Sequence, residues 1–167
     1  MKPIDVPDLH HLNAALGWLE LGNQVEAHAE LDSIAPVLRS HPAVLELRWQ
    51  IYAKEKKWDA CVGIAAELVA TNPEDHGNWL NHAYALRRAT FGGLAPAEKV
   101  LLEARQKFPR EWMIPYNLAC YACQLGRLED ARNWLAMAFN VGDPKKIKAM
   151  ALEDPDLDPM WPEIRKS

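Results

Sequence analysis

Nowhere in this 167-residue chain do about 18 apolar residues run together without a charge, so a membrane-spanning helix is excluded. The opening residues, Met1-Lys2-Pro3-Ile4-Asp5-Val6-Pro7-Asp8, also lack the apolar stretch of about 7–15 residues that a secretory signal needs, and no export is expected. Basic blocks are missing too. Lys and Arg number 19 against 23 Asp and Glu, a formal net charge of -4. Affinity for phosphate is built from clustered cations, so neither nucleic acid nor an anionic membrane is an expected partner. Cysteine is scarce: Cys61, Cys120 and Cys123 are an odd set in a chain long enough to build its own core. That combination points to reduced thiols and a cytoplasmic setting.

Catalytic signatures are equally absent. The sequence holds no G-x-S-x-G, no phosphate-cradling glycine loop and no dinucleotide fingerprint. Its six histidines, His10, His11, His28, His41, His76 and His82, show no H-E-x-x-H spacing. Cys120-Tyr121-Ala122-Cys123 fits C-x-x-C, yet it lies in a helical stretch with no second pair and no neighbouring His pair. It reads as small residues packed in a core or facing a groove. The expectation is therefore no catalytic residue, no metal and no cofactor. The competing enzyme reading is a small metal- or thiol-dependent activity at Cys120 and Cys123.

What is present is a repeat. With 49% apolar and 25% charged residues the chain matches ordinary globular proteins, and at this length it should bury about 68–70% of its unfolded surface. Ala27, Leu31 and Ile34 recur as Cys61, Ala65, Leu68, then Ala97, Leu101, Ala104, then Ala131, Leu135, Ala138. An earlier column runs Ala15, Trp49, Ala83, Ala119, followed three residues on by Trp18, Tyr52, Leu86, Ala122. Spacings of three and four mark one face of a helix, so each unit reads as two amphipathic helices. The two series stay in step only if two extra residues lie between Ala83 and Ala97, which predicts a lengthened first helix or turn at Arg87–Gly93.

Five residues before each second-helix column stand Gly22, Lys56, Gly92 and Gly126. Glycine there supplies a left-handed helix end without steric cost, and Lys56 must adopt it at a cost or use another turn. Pro42, Pro73, Pro109 and Pro144 mark unit junctions, and Pro96 and Pro115 read as further first-turn prolines. Pro36 should end or bend the second helix of the first unit. Residues 144–152 set Ile147, Met150 and Ala151 on one side against lysines, a capping helix. Glu153–Trp161, with three aspartates and two prolines, predicts an extended turn pinned by Leu157 and Trp161. The tryptophans Trp18, Trp49, Trp58, Trp79 and Trp134 are expected to fill helix interfaces.

This pattern resembles the tetratricopeptide repeat family, most clearly in Pro115-Tyr116-Asn117-Leu118-Ala119-Cys120-Tyr121 and Gly126-Arg127-Leu128-Glu129-Asp130-Ala131, with Trp79 matching the early aromatic of the third unit. The departures are Arg48 and His82, where the family favours leucine, and Trp49, where it favours a small residue. The resemblance implies an all-α, right-handed solenoid of helix-turn-helix units forming one domain over residues 1–167. Its repeats span 8–41, 42–75, 76–111 and 112–142, with a capping helix and tail over 143–167.

In that family first helices line a concave groove, which implies contact positions at Leu9, Leu12, Asn13, Leu16 and Leu19, at Glu46, Gln50 and Lys54, at Asn81, Tyr84, Arg87 and Arg88, and at Tyr116, Asn117, Cys120 and Gln124. The ligand-binding set expected from these is Leu12, Asn13, Leu16, Gln50, Asn81, Tyr84, Arg87, Arg88, Tyr116 and Asn117. Asparagine recurs as Asn13, Asn81 and Asn117; its amide suits holding an extended peptide, or alternatively ties neighbouring helices. Some members grip the acidic tail of heat-shock chaperones through basic clamp residues. Here those places hold Leu12 and Leu16, which cannot bind a carboxylate, and that ligand is rejected.

The function implied is a non-enzymatic scaffold binding a peptide or helix of another protein, one offering an apolar anchor and an acidic group. Alternatives are a secretion-type chaperone with tetratricopeptide units, or a module that self-associates through Leu9, Leu12, Leu16 and Leu19.

Overall fold

In the computed structural model, which describes residues 3–166, the secondary structure of the described residues is helical throughout, with no strand. Met1, Lys2 and Ser167, the ends of the expected domain and part of the segment read for a secretory signal, lie outside the described residues. No helix is long and apolar enough to cross a membrane among those described. The chain forms two compact units, one ending at Phe91 and the other beginning at Gly92.

The first unit comprises α1 (Val6–Glu20), α2 (Gln24–Ser33), α3 (Pro42–Lys54), α4 (Trp58–Thr71) and α5 (His76–Leu86), with a short 3₁₀ turn at Pro36–Leu38. Pro36 ends the run of α2 as expected, because a helix rarely continues into the residue before a proline. Pro42 begins α3, whereas Pro73 sits in the turn ahead of α5, where its carbonyl accepts a hydrogen bond from the Trp79 indole at 3.0 Å. Asn78, buried to 2% exposure, donates its amide to the carbonyls of Leu68 and Asn72, satisfying the end of α4. Successive helices of this unit pack on one another through the repeat columns. Ala15, Ala27, Leu31, Ile34 and Ile51 are fully buried in one cluster, and Cys61, Ala65 and Leu68 are likewise at 0% exposure. Removing a side chain such as Leu31 from water is worth about 1.5–3 kcal/mol.

The helix-helix turns follow one design. After α1, the Gly22 and Asn23 N–H groups reach back to Leu19 and Trp18, with Gly22 at φ +76°. After α3, Lys56 and Lys57 bond Ala53 and Tyr52, with Lys56 forced to φ +59°. The turn after α5 breaks the pattern. Its extra residues prolong the turn rather than the helix, and Thr90 is tied back to the Asp59 carboxylate by its N–H and its hydroxyl, both at 2.7 Å. The left-handed glycine there is Gly93 rather than Gly92.

The second unit comprises α6 (Leu94–Lys107), α7 (Met113–Gln124), α8 (Leu128–Val141), α9 (Pro144–Glu153) and α10 (Trp161–Ile164), with a 3₁₀ segment at Pro155–Met160. The turn after α7 repeats the design of the first unit: Gly126 and Arg127 bond Cys123 and Ala122, with Gly126 at φ +74°. Ala97, Leu101, Ala104, Ala119, Ala131 and Ala138 are at 0% exposure, so the columns continue here in register. A Cβ at Gly142 would stand 2.7 Å from Trp112 and from Ile147, so glycine is what lets α9 close in. α9 buries Ile147 and Ala151, the capping face anticipated. The tail differs from an extended turn. Its aspartates favour a 3₁₀ segment capped by Asp154, whose Oδ1 accepts from the Asp156 N–H at 3.0 Å. Leu157 is fully buried, and the Trp161 indole donates to the Ala151 carbonyl at 2.8 Å, so both anchors act as expected.

Candidate functional site

Two surfaces on first helices bear on function, one in each unit. In the first unit, the last turn of α1, the outer half of α3, the first residue of α4 and α5 surround a cleft of about 350 Å³ lined by Leu19, Trp49, Gln50, Ala53, Lys54, Trp58 and Tyr84. Trp58 and Tyr84 meet edge to face at 5.6 Å, and the Arg88 guanidinium lies over both rings, 3.6 Å from the Tyr84 centroid and 5.5 Å from that of Trp58. One arm of Arg88 also donates to the Tyr84 carbonyl at 3.0 Å. Stacking uses the face of a guanidinium, whereas carboxylate recognition uses its edge, so the two are compatible. Trp49 replaces the small residue usual at its column position and carries an indole N–H that is buried without a hydrogen-bond partner. An unmet buried donor of this kind costs about 1–3 kcal/mol.

Of the expected contact residues, Leu19, Gln50, Lys54, Tyr84 and Arg88 are thus brought together. Arg87 ends α5, half-buried, with its N–H on the Ala83 carbonyl. Asn13 and Asn81 do not line the cleft, and the amide of Asn117 donates to Met113 of its own helix at 2.8 Å. Glu46, also on α3, has its carboxyl pKa raised, chiefly by burial and then by the Asp75 charge, against the opposing influence of His41.

The leucine row requires correction. Leu19 is core at 8% exposure, its remaining surface at the edge of the cleft, and Leu12 packs against that core with Ile4; only Leu9 and Leu16 are exposed, at 43% each. Trp18, expected at an interface, is exposed at 36%. Sequence reasoning has Trp58 only as filler; the signal is its place directly after Lys56-Lys57, at the start of α4.

In the second unit, the corresponding face of α7 is covered by the chain itself. Tyr116, expected at a groove surface, is 4% exposed, and its hydroxyl donates to Asp154 Oδ2 at 2.9 Å. The Cys120 thiol donates to the same oxygen at 3.5 Å, and the Gln124 amide donates to Asp156. Burial and the nearby Cys120, Asp154 and Asp156 push the Tyr116 hydroxyl pKa far up. No residue pattern in α7 signals this cover, since the carboxylates that meet it lie 32 to 38 positions downstream.

Two further clefts, about 430 and 310 Å³, flank Phe139 on α8 beside α9 and α10. The larger is rimmed by Lys145 and Lys148, and the smaller by Arg132, which is paired with Glu163 at 2.7 Å. Neither holds the stacked aromatic and cationic groups of the first-unit cleft.

No protein-family model matches the chain, and no curated protein matches it. Solved structures do. The MamA RS-1 ArsTM double mutant superposes with a TM-score of 0.70 at 13% identity, over 80% of this chain and 74% of that one. TTC0263, a thermophilic TPR protein in Thermus thermophilus, superposes with a TM-score of 0.62 at 17% identity, over 95% of both chains. At these identities the likeness is one of fold, and it agrees with the paired helices, the small-residue columns and the shared turn geometry. The chain therefore has a tetratricopeptide-like helical repeat fold.

Proposed function

We propose that the chain is a non-enzymatic protein-interaction scaffold whose first unit takes a partner segment in the cleft beside Trp58. With this goes the reading of residues 1–167 as one domain of four repeats. The single observation that carries it is the joining of apolar walls (Leu19, Trp49, Ala53), aromatic faces (Trp58, Tyr84) and cations (Lys54, Arg88) around one cleft. That composition suits an apolar anchor followed by an acidic side chain, since aromatic and arginine groups dominate binding hot spots. Gln50 supplies an amide for the ligand backbone, and Arg87 adds charge at the end of α5. Tyr116 belongs to a face under the chain's own tail, so partner binding is assigned to the first unit.

The test is selection of displayed peptides against the intact chain. Enrichment of sequences pairing a large apolar residue with Asp or Glu supports the reading, with binding lost in the Arg87→Glu, Arg88→Glu double variant while its circular dichroism stays that of the parent. Enrichment that ignores acidity, or undiminished binding by the variant, overturns it. A second reading, self-association, is supported by the apolar residues Val6, Leu9, Leu16 and Leu21 exposed along α1 and its end. It requires a concentration-dependent mass that Leu9→Glu abolishes.

A further inference from the structure

The C-terminal segment brings two carboxylates onto Cys120 of α7, and this juxtaposition has no counterpart elsewhere in the described residues. Cys120 and Cys123 stand one turn apart, so they share a helix face. Both are buried, at 2% and 5% exposure. Against that face lies the 3₁₀ segment, with Asp154 as its cap. The Cys120 sulfur and one oxygen each of Asp154 and Asp156 fall within 4.8 Å of one another.

These distances have a chemical meaning. Zinc binds thiolate sulfur at about 2.3 Å and carboxylate oxygen at about 2.0–2.2 Å, and a tetrahedral centre then separates sulfur from oxygen by about 3.5 Å. Cys120 Sγ and Asp154 Oδ2 are 3.5 Å apart. Thiolate with carboxylate, rather than oxygen ligands alone, favours zinc over magnesium or calcium. We propose that Cys120, Asp154 and Asp156 form a zinc site that clasps the C-terminal segment to α7. Binding replaces the Cys120 thiol proton, which leaves to solvent, so that the sulfur-to-carboxylate hydrogen bond becomes two bonds to one metal. Tyr116 then serves as the outer partner that orients Asp154, and Gln124 does the same for Asp156. This site is independent of the binding reading given for the first unit.

Cobalt(II) titration of the intact, reduced and chelator-stripped protein tests it. The expected result is one equivalent bound, a near-ultraviolet thiolate-to-cobalt charge-transfer band, the intense visible absorption of a tetrahedral ion, and displacement of both by zinc. Cys120→Ser removes the charge-transfer band, Asp154→Asn weakens affinity at least about 10-fold, and Cys61→Ala leaves the spectrum unchanged. Absence of the charge-transfer band in the parent protein overturns the proposal without recourse to any variant. So does binding that shows only weak octahedral absorption, the mark of ions held by surface histidines or carboxylates. A band that survives in a folded Cys120→Ser protein overturns it as well.

Discussion

The turns closing α1 and α3 allow a backbone argument to be tested without packing effects. Gly22 and Lys56 occupy equivalent places, at φ +76° and +59°, and a Cβ added at Gly22 meets nothing within 4 Å. Lys56 is exposed. A left-handed conformation costs a residue with a Cβ roughly 1–2 kcal/mol, while glycine costs about 0.4–1 kcal/mol through the freedom of its unfolded chain. The difference predicts that Gly22→Ala destabilises the protein by about 1 kcal/mol and that Lys56→Gly stabilises it by about 0.5–1 kcal/mol. Gly17 supplies the opposite control: it lies within α1, also with open space around it, so Gly17→Ala should stabilise by about 0.5–1 kcal/mol. Urea unfolding followed by tryptophan fluorescence reads all three. With a slope of about 2 kcal/mol per molar, 1 kcal/mol moves the midpoint by about 0.5 M. A Gly22→Ala midpoint equal to the parent's, or a Lys56→Gly midpoint below it, would refute the shared turn geometry.

Three other outcomes are expected. Ala131→Trp overfills a fully buried column position and should cost at least about 1–3 kcal/mol, so an unchanged melting curve contradicts the register. Tyr116→Phe leaves Asp154 without its hydroxyl donor and should lower stability by about 1.5–3 kcal/mol, with hydrogen exchange accelerating in residues 154–160; protection equal to the parent's there shows that the hydroxyl does not hold the segment. Burial tends to raise the Glu55 carboxyl pKa, but hydrogen bonds and charge from His28 and Lys57 outweigh it, so the folded value is lowered. A lowered carboxyl stabilises above its unfolded value of about 4.3 and loses that contribution as pH falls through the folded value. The stability gap between parent and Glu55→Gln should therefore be full at neutral pH and close in acid; a gap that persists at low pH rules out the charge as its source.

Much of the architecture was legible along the chain. Helical spacing put Ala27, Cys61, Ala97 and Ala131 in one column, and all four are fully buried, because a side chain's face on a helix follows from its position modulo 3.6 residues. The columns also located the two extra residues after Arg87, although not that they lengthen the turn, which depends on Asp59 being at hand to bind Thr90. Cys61 could be read as a packed thiol, and burial does push it to about 11.

Sequence by itself therefore determined the helices and the glycine turns that repeat between them, since these rest on interactions among residues three to five apart. Tertiary structure alone decided which exposed side chains meet. It packed Leu12 and Leu19 into the core of the first unit, stacked Arg88 on Trp58 from a distant part of the chain, and folded Asp154 and Asp156 over Cys120. Such meetings depend on how whole helices pack, which no local spacing records. The C-x-x-C of α7, unremarkable along the chain, gains carboxylate neighbours only because the last segment folds back upon it.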